Sequence, residues 1–176
     1  MTNRLIQLKI SLVFIFLMYS NIGYAQNIKS AYFAGGCFWC MEESFEKVDG
    51  VLEVISGYSG GKTKNPTYKE VTYGNSGHFE VIKIRYDIKK INYEKLLDIF
   101  WINIDPFDST GQFCDKGYSY RSVVFYSIDT EKKLIQNTFR WTNIPTGNGR
   151  IHDWTKRAWI QTMRNRQVFI HQVGER

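Results

Sequence analysis

Apolar residues recur along this chain with two different periods, which predict alternating strands and helices. Alternating apolar positions at 78–87 are typical of a strand, whereas Phe38, Met41 and Phe45 recur at helical spacing from about Cys37. The same periodicities predict strands at 30–34, 51–56 and 121–127, a helix at 92–103 capped by Asn92, and a helix capped by Asp129 or Thr130.

Two stretches rich in glycine, asparagine and aspartate, 57–75 and 105–119, interrupt this pattern and are predicted to be long loops. The resulting order is β-α-β-β-α-β followed by a helix. This is the order of the split β-α-β, ferredoxin-like sandwich. We therefore expect an α+β fold, with an antiparallel sheet, helices on one face and Cys37 at a helix N-terminus.

The two ends of the chain differ from its middle. Arg4 and Lys9 precede an apolar run at 10–19, and the small residues Gly23 and Ala25 follow it. This pattern is typical of a cleavable signal peptide, and the run is short for a membrane anchor. We expect residues 1–25 to be removed on export, leaving a periplasmic or secreted protein without membrane attachment. Residues 26–140 would form one domain, and 141–176 a divergent tail that could be poorly ordered.

Charge and cysteine content narrow the possible functions. The 176 residues carry a formal net charge of +6, with basic side chains scattered rather than aligned in a stripe, so nucleic-acid binding is not expected. Nothing in the sequence indicates an oligomer, and we expect a monomer. The three cysteines, Cys37, Cys40 and Cys114, cannot all pair within one exported chain. A thiol left over favours redox or nucleophilic chemistry over disulfide stapling.

Cys37 and Cys40 form a CxxC pair at the predicted start of a helix. Free backbone N–H groups and the helix dipole favour a thiolate at Cys37, and Gly35 and Gly36 would let another molecule approach the sulfur. A lone cysteine there would more often be a small core residue. The second thiol one turn later can close a disulfide, which favours redox chemistry. A zinc site using Cys114 and His78 has little support, and no metal is expected.

Glu80 is the second candidate for chemistry. On the predicted strand it shares a face with Ile82 and Ile84, so burial of that face would raise the pKa of a carboxyl group and make it a general acid. The opposite face carries Phe79 and Val81, which also need cover, and the pattern alone leaves both choices open.

The predicted loops and the segment after Cys37 contain further candidates. Tyr68, Asp115 and Tyr120 lie in the loops, where composition alone does not single them out. Phe38 and Trp39 could form an apolar pocket wall beside the thiol, or simply pack in the core.

Four blocks of the sequence resemble the A-type peptide methionine sulfoxide reductases. They are GGCFWCMEESFEKVDGV, VISGYSGGKTKNPTYKEV, SGHFEVIKIRYD and DPFDSTGQFCDKGYSYRSVVFY, in the family's order. The resemblance spans about 31–126 and fades beyond about Lys133. A full-length member would continue with a YHQDYY-like block that packs near the active site, and 137–176 contains only unrelated residues.

The resemblance implies a role for each candidate residue. Cys37 would attack the sulfur of a methionine S-sulfoxide, and Glu80 would protonate its oxygen. Tyr68 and Tyr120 would hydrogen-bond that oxygen, and Asp115 would help order the site. The apolar pocket for the S-methyl group would be formed by Phe38 and Trp39.

The resemblance also implies how the enzyme would be recycled. Cys37 would become a sulfenic acid and then form a disulfide with a resolving thiol, for which Cys40 is preferred and Cys114 is the alternative. An external thioredoxin-like dithiol would reduce that disulfide, so no bound cofactor is expected. Two other functions stay open: a thiol–disulfide oxidoreductase, and an inactive, decayed reductase that acts as a binding domain.

Overall fold

The chain between Asn27 and Thr138 folds around an antiparallel sheet whose strands follow the predicted order. The computed structural model describes residues 27–105, 108–138, 160–162 and 169–170. The strands are β1 (Ile28–Ala34), β2 (Val51–Ser59), β3 (Phe79–Asp87), β4 (Gly111–Gln112), β5 (Asp115–Lys116), β6 (Val123–Tyr126), β7 (Ile160–Thr162) and β8 (Phe169–Ile170). The helices are α1 (Phe38–Glu46), α2 (Tyr68–Thr72), α3 (Tyr93–Ile102) and α4 (Asp129–Thr138), with a 3₁₀ turn at Tyr118–Tyr120.

The main sheet confirms the predicted fold class. Its described strands lie in the order β7-β6-β1-β3-β2-β8, and the inner four, β6-β1-β3-β2, pair antiparallel throughout. This is the strand order of the ferredoxin-like sandwich. At the edges, β7 runs parallel to β6 and β8 antiparallel to β2. The predicted signal peptide and most of the predicted tail lie outside the described residues.

One face of the sheet is covered by helices through a large apolar core. Phe33 of β1 is fully buried, and its ring lies 5.8 Å from that of Phe45 in α1 and 5.0 Å from that of Phe100 in α3. Burial of a side chain of this size contributes roughly 1.5–3 kcal/mol. These contacts fix α1, and therefore Cys37 at its start, relative to the sheet. Within the described part of the chain, no helix is long and apolar enough to cross a membrane.

The opposite face of β3 is also buried. Phe79 and Val81 belong to a second apolar cluster with Val123 and Phe125 of β6, and the ring of Tyr118 stacks on Phe79 at 4.8 Å. Both faces are therefore covered at this end of the strand. The sequence left open which face of the strand is buried, that of Glu80 or that of Phe79 and Val81. The structure buries both.

The prediction of one long loop at 57–75 is wrong in two places, at its start and at 68–72. Strand β2 continues through Gly57 to Ser59, because ladder pairing with β3 outweighs the poor strand propensity of glycine. Helix α2 then begins with a capping box, in which Thr67 accepts a hydrogen bond from the Glu70 amide and the Glu70 carboxylate accepts one from the Thr67 amide.

The second predicted loop also contains regular structure. Strands β4 and β5 form a short hairpin. The buried Gln112 side chain joins this hairpin to Asp105 by accepting from the Asp105 amide and donating to the Asp105 carbonyl. The Asn92 cap is confirmed, since its side chain accepts from the Lys95 amide at 2.8 Å.

The predicted cap of the last helix is wrong by one or two positions. Asp129 is already helical, and the carbonyl of Ile128 accepts from the Lys132 amide as the helix begins. The carboxylate of Glu131 in the first turn accepts from the Ser127 amide at 2.7 Å. This hydrogen bond ties the first turn of the helix to the chain just before it, much as the glutamate of a capping box does.

Candidate active site

Cys37 is the N-cap residue of α1, with φ −58° and ψ 118°. Its carbonyl accepts the first hydrogen bond of the helix, from the Met41 amide at 3.2 Å, and its side chain is partly exposed. Cys37 therefore stands at the positive end of a nine-residue helix, where negative charge is stabilised. This is the position that the sequence predicted for the nucleophile.

The two glycines before Cys37 pack closely against side chains of the protein itself. Gly36 has φ +90°, and a Cβ atom there would lie 2.7 Å from Cβ of Gln112. A Cβ atom on Gly35 would lie 2.8 Å from the sulfur of Met41. The space beside these glycines is thus filled by the protein's own side chains. Gly36 allows the chain to turn sharply into α1, because other residues rarely adopt its φ.

Cys40 lies one turn further along α1, is exposed, and hydrogen-bonds to the Cys37 sulfur. Partial burial raises the pKa of Cys40, and the hydrogen bond to Cys37 and the charge of Asp115 raise it further. Cys40 therefore keeps its proton and donates it towards Cys37. The two sulfurs are therefore in contact, with the proton on Cys40.

Glu80 is buried in the sheet directly behind the start of α1. Its side chain is 1% exposed, and Oε2 accepts a hydrogen bond from the Phe38 amide at 3.0 Å. The other oxygen, Oε1, is buried and has no hydrogen-bond partner among the described residues. Burial raises the pKa of Glu80 to about 7; the Phe38 amide opposes this shift and the charge of Asp115 adds to it. A carboxyl group with this pKa can donate a proton near neutral pH.

Three tyrosines surround the Glu80 carboxyl group. Tyr58 lies opposite Glu80 in the β2–β3 register, and Tyr120 hydrogen-bonds through its hydroxyl group to Tyr68. Burial and the nearby charge of Glu80 raise the pKa of both Tyr58 and Tyr120. These phenols therefore stay protonated and can act as hydrogen-bond donors. The Thr72 hydroxyl lies beside Tyr120 and has the opposite, weaker effect on its pKa.

Aromatic rings line the space next to the thiol. Trp39 stacks on Tyr68 with centroids 6.0 Å apart, and Phe38 lies 5.0 Å from Trp39 and 5.6 Å from Tyr58. Phe38 is buried in the core, whereas Trp39 is 38% exposed. Trp39 is therefore the accessible ring, and Phe38 supports it from behind. A small apolar group would find a fitting surface here.

Asp115 and Cys114 complete the site from the β4–β5 hairpin. The charge of Asp115 acts on both Glu80 and Cys40, which places this carboxylate close to the acid and the thiols. Cys114 is exposed in the two-residue turn of the hairpin, next to Phe113, whose φ is +50°. The structure thus brings the other predicted site residues into one region and leaves Cys114, the remaining predicted thiol, on the hairpin beside it.

Tyr58 is the site residue that sequence patterns did not single out. It lies in a stretch that glycines marked as loop, and only the pairing register places it against Glu80. No group of three or more His, Cys, Asp or Glu side chains with metal-binding geometry occurs within the described residues.

Comparisons with known proteins point to one family. The family model described as "Peptide methionine sulfoxide reductase" matches residues 29–147, which extends past Lys133, where the resemblance was expected to fade. A peptide methionine sulfoxide reductase of Bacillus licheniformis is 49% identical over 114 residues, covering 65% of this chain and 63% of the relative. A Listeria monocytogenes relative of the same name is 48% identical over 113 residues, 64% of each chain. The chain thus spans less than two thirds of these relatives.

Solved structures agree with this assignment. Methionine sulfoxide reductase A of Corynebacterium diphtheriae superposes with a TM-score of 0.64 at 26% identity, covering 72% of this chain and 62% of that one. The reduced form of Mxr1 from Saccharomyces cerevisiae gives a TM-score of 0.66 at 28% identity, covering 78% and 76%.

The raised pKa of Glu80 predicts a specific dependence of stability on pH. The folded-state value of about 7 lies above the ordinary 4.5, so the folded chain binds this proton more tightly than the unfolded chain. The contribution of Glu80 to the free energy of unfolding therefore falls as pH rises from 4.5 to 7, by up to about 3 kcal/mol. Urea unfolding of Glu80→Gln and wild type across this range measures the difference. The free energy of unfolding of Glu80→Gln should increase relative to that of wild type as pH rises.

Glu70→Gln is the matched control. Hydrogen bonds from the Thr67 amide and hydroxyl lower the pKa of Glu70, so its stabilising effect is present at neutral pH and lost in acid. The difference between this variant and wild type should change with pH in the opposite direction. A pH-independent difference for Glu80→Gln would contradict the raised pKa.

Proposed function

Because this chain belongs to the peptide methionine sulfoxide reductase family, we propose that it reduces methionine S-sulfoxide, free or in proteins, and so repairs oxidised proteins. One observation carries the proposal: a buried carboxyl group with a pKa of about 7 lies behind a thiol at a helix N-terminus. Thiol attack on a sulfoxide needs both a nucleophile and an acid, because the sulfoxide oxygen leaves sulfur only when its charge is neutralised.

The first step joins Cys37 and Glu80. The Cys37 thiolate attacks the sulfoxide sulfur while Glu80 donates its proton to the oxygen, and Oε1 is the carboxyl oxygen without a protein partner among the described residues. Methionine leaves with two electrons gained, and the oxygen ends on Cys37 as a sulfenic acid. The hydroxyl groups of Tyr68 and Tyr120 hold the oxygen by hydrogen bonds during this step.

The aromatic rings select the substrate. The S-methyl group packs against Trp39, with Phe38 behind it, while the polar oxygen points towards the tyrosines. A sulfoxide sulfur is chiral, so fixing the methyl group and the oxygen on opposite sides leaves one epimer in position for attack. Asp115 acts through its charge, which keeps the Glu80 proton in place.

The second step closes a disulfide. Cys40 already hydrogen-bonds to Cys37, so its sulfur can attack the sulfenic acid and release water. Cys114 is the alternative resolving thiol, exposed on the neighbouring hairpin. A thioredoxin-like dithiol then reduces the disulfide and returns the enzyme to its starting state. The protein itself needs no bound cofactor for this cycle and works as a monomer.

We also infer that the protein is exported. The apolar run at 10–19 behind Arg4 and Lys9 supports a signal peptide, and repair outside the cytoplasm would require a dithiol donor in that compartment. The competing function, plain disulfide exchange, leaves the buried Glu80 carboxyl without a role.

Removal of the nucleophile tests the function. Wild type should release methionine from a methionine S-sulfoxide peptide with dithiothreitol as reductant, and Cys37→Ser should lose this activity by at least about a thousandfold, because a hydroxyl group is a far weaker nucleophile at neutral pH. Peptide reduction is followed by mass spectrometry. Cys114→Ser is the matched control and should stay active with dithiothreitol. An inactive wild type would rule out the proposed reaction, and an active Cys37→Ser would reassign the nucleophile.

Glu80→Gln tests the acid. We expect the single-turnover rate of methionine release to fall about a hundredfold, within the usual range for general acid catalysis, while the fold is retained. In wild type this rate should decline above pH 7 as Glu80 loses its proton. The variant should lack that decline. Quenched-flow measurement of methionine release from pH 5.5 to 9 checks both the rate loss and its pH dependence. An unchanged rate in Glu80→Gln would exclude Glu80 as the acid.

Cys40→Ser tests the resolving step. The variant should release one equivalent of methionine and then stop when a thioredoxin-like protein is the donor, because no disulfide forms for that donor to attack. Methionine released per chain is counted with this donor. Cys114→Ser should turn over normally. Full turnover in Cys40→Ser together with arrest in Cys114→Ser would assign resolution to Cys114 instead.

A further inference from the structure

His78 is buried just before β3, two residues before Glu80, and has no role in the steps above. Its side chain is 1% exposed. Nε2 lies 2.8 Å from the carbonyl oxygen of Thr63, and Nδ1 accepts a hydrogen bond from the Gly61 amide at 3.2 Å. Both partners belong to the backbone of the segment between β2 and α2, which we call the 60–67 loop.

The two partners dictate the form of the imidazole ring. A carbonyl oxygen can only accept, so Nε2 must carry the hydrogen, and a backbone amide can only donate, so Nδ1 must be bare. Only the neutral ring with hydrogen on Nε2 makes both bonds. Through these two hydrogen bonds, His78 holds the loop against β3 at Gly61 and at Thr63.

The loop lies directly on the imidazole ring. A Cβ atom on Gly61 would lie 2.3 Å from Cδ2 of His78 and 2.5 Å from the Ser76 carbonyl oxygen, so glycine is required for this approach. The Lys62 amide adds a long hydrogen bond to the Ser76 carbonyl at 3.4 Å. The hydrogen bonds of His78 and this close packing set the path of the loop.

The loop leads straight into α2. The capping box of Thr67 and Glu70 starts this helix, and its first residue is Tyr68, whose hydroxyl group hydrogen-bonds to Tyr120. Only four residues separate Thr63 from Tyr68. A shift of the loop at Thr63 is therefore carried to the Tyr68 phenol, while Glu80 stays fixed in the sheet.

We propose that His78 is a positioning residue for Tyr68: it ties the 60–67 loop to the strand that holds Glu80, and so sets where the Tyr68 hydroxyl stands relative to the acid. The inference rests on the proposed reduction of a sulfoxide for its catalytic consequence. His78 touches no substrate and acts only through the loop. Its loss should disturb the hydrogen bond to the sulfoxide oxygen without removing the nucleophile or the acid.

A double-mutant cycle in the full-length chain tests this role. His78→Phe keeps a planar ring and removes both hydrogen bonds, and we expect the single-turnover rate of methionine release to fall by about ten- to a hundredfold, the size typical of a misplaced catalytic group. In a Tyr68→Phe background the same change should cost less than about twofold, because the hydroxyl it positions is already absent. Equal losses in both backgrounds would overturn the proposal.

Two further variants separate positioning from general damage. His78→Asn keeps an acceptor for the Gly61 amide and should recover part of the rate that His78→Phe loses. It also serves as the measurable variant should His78→Phe fail to fold. Lys62→Ala changes an exposed side chain of the same loop and should behave like wild type. A rate for His78→Asn no higher than for His78→Phe would count against the hydrogen-bond role.

Hydrogen exchange of the Gly61 amide provides a test that needs no activity. In His78→Phe this amide should exchange at least about tenfold faster than in wild type, while amides of β3 keep their protection. NMR-detected exchange measures both. Unchanged protection of the Gly61 amide in His78→Phe would overturn the proposal that His78 holds the loop in place. If wild type is inactive but the exchange difference is found, the proposed sulfoxide reduction is wrong. The proposal that His78 holds the loop would still stand.

Discussion

The hydrogen bond from the Phe38 amide to Glu80 joins the helix that carries the thiol to the strand that carries the acid. Two opposing effects meet at this carboxyl group. Burial in the sheet disfavours its charge, whereas the amide at the helix start favours it. Burial prevails, so the group keeps a proton near neutral pH. A second hydrogen bond, to Oε1, would favour the charged form and lower this pKa.

The neighbours of Glu80 are arranged around this balance. Tyr58, Tyr68 and Tyr120 supply hydroxyl groups in the same region, and Asp115 adds a charge that favours the protonated acid. These groups come from a strand, a short helix, a 3₁₀ turn and a hairpin. The ferredoxin-like sheet brings them together because β2 and β3 are neighbours and the two connecting segments return to the same end. The site therefore depends on the sheet register as much as on any single side chain.

The two thiols lie in different electrostatic environments. Cys37 stands at the positive end of α1, while partial burial, the hydrogen bond between the two sulfurs and the nearby carboxylates raise the pKa of Cys40. The chain belongs to a family named for the reduction of peptide methionine sulfoxide.

By itself, the sequence determined the order of elements, the helix start at Cys37, the Asn92 cap and the family. These features depend on local periodicity and short motifs, which survive without knowledge of the fold. The extension of β2 through Gly57, the placing of Tyr58 against Glu80, and the burial of both faces of β3 were decided only by the tertiary structure. Strand register and the cover of a face depend on distant partners. For the same reason the link from His78 to Gly61 and Thr63 could not be foreseen, because it joins residues separated by a loop whose path only the folded sheet sets.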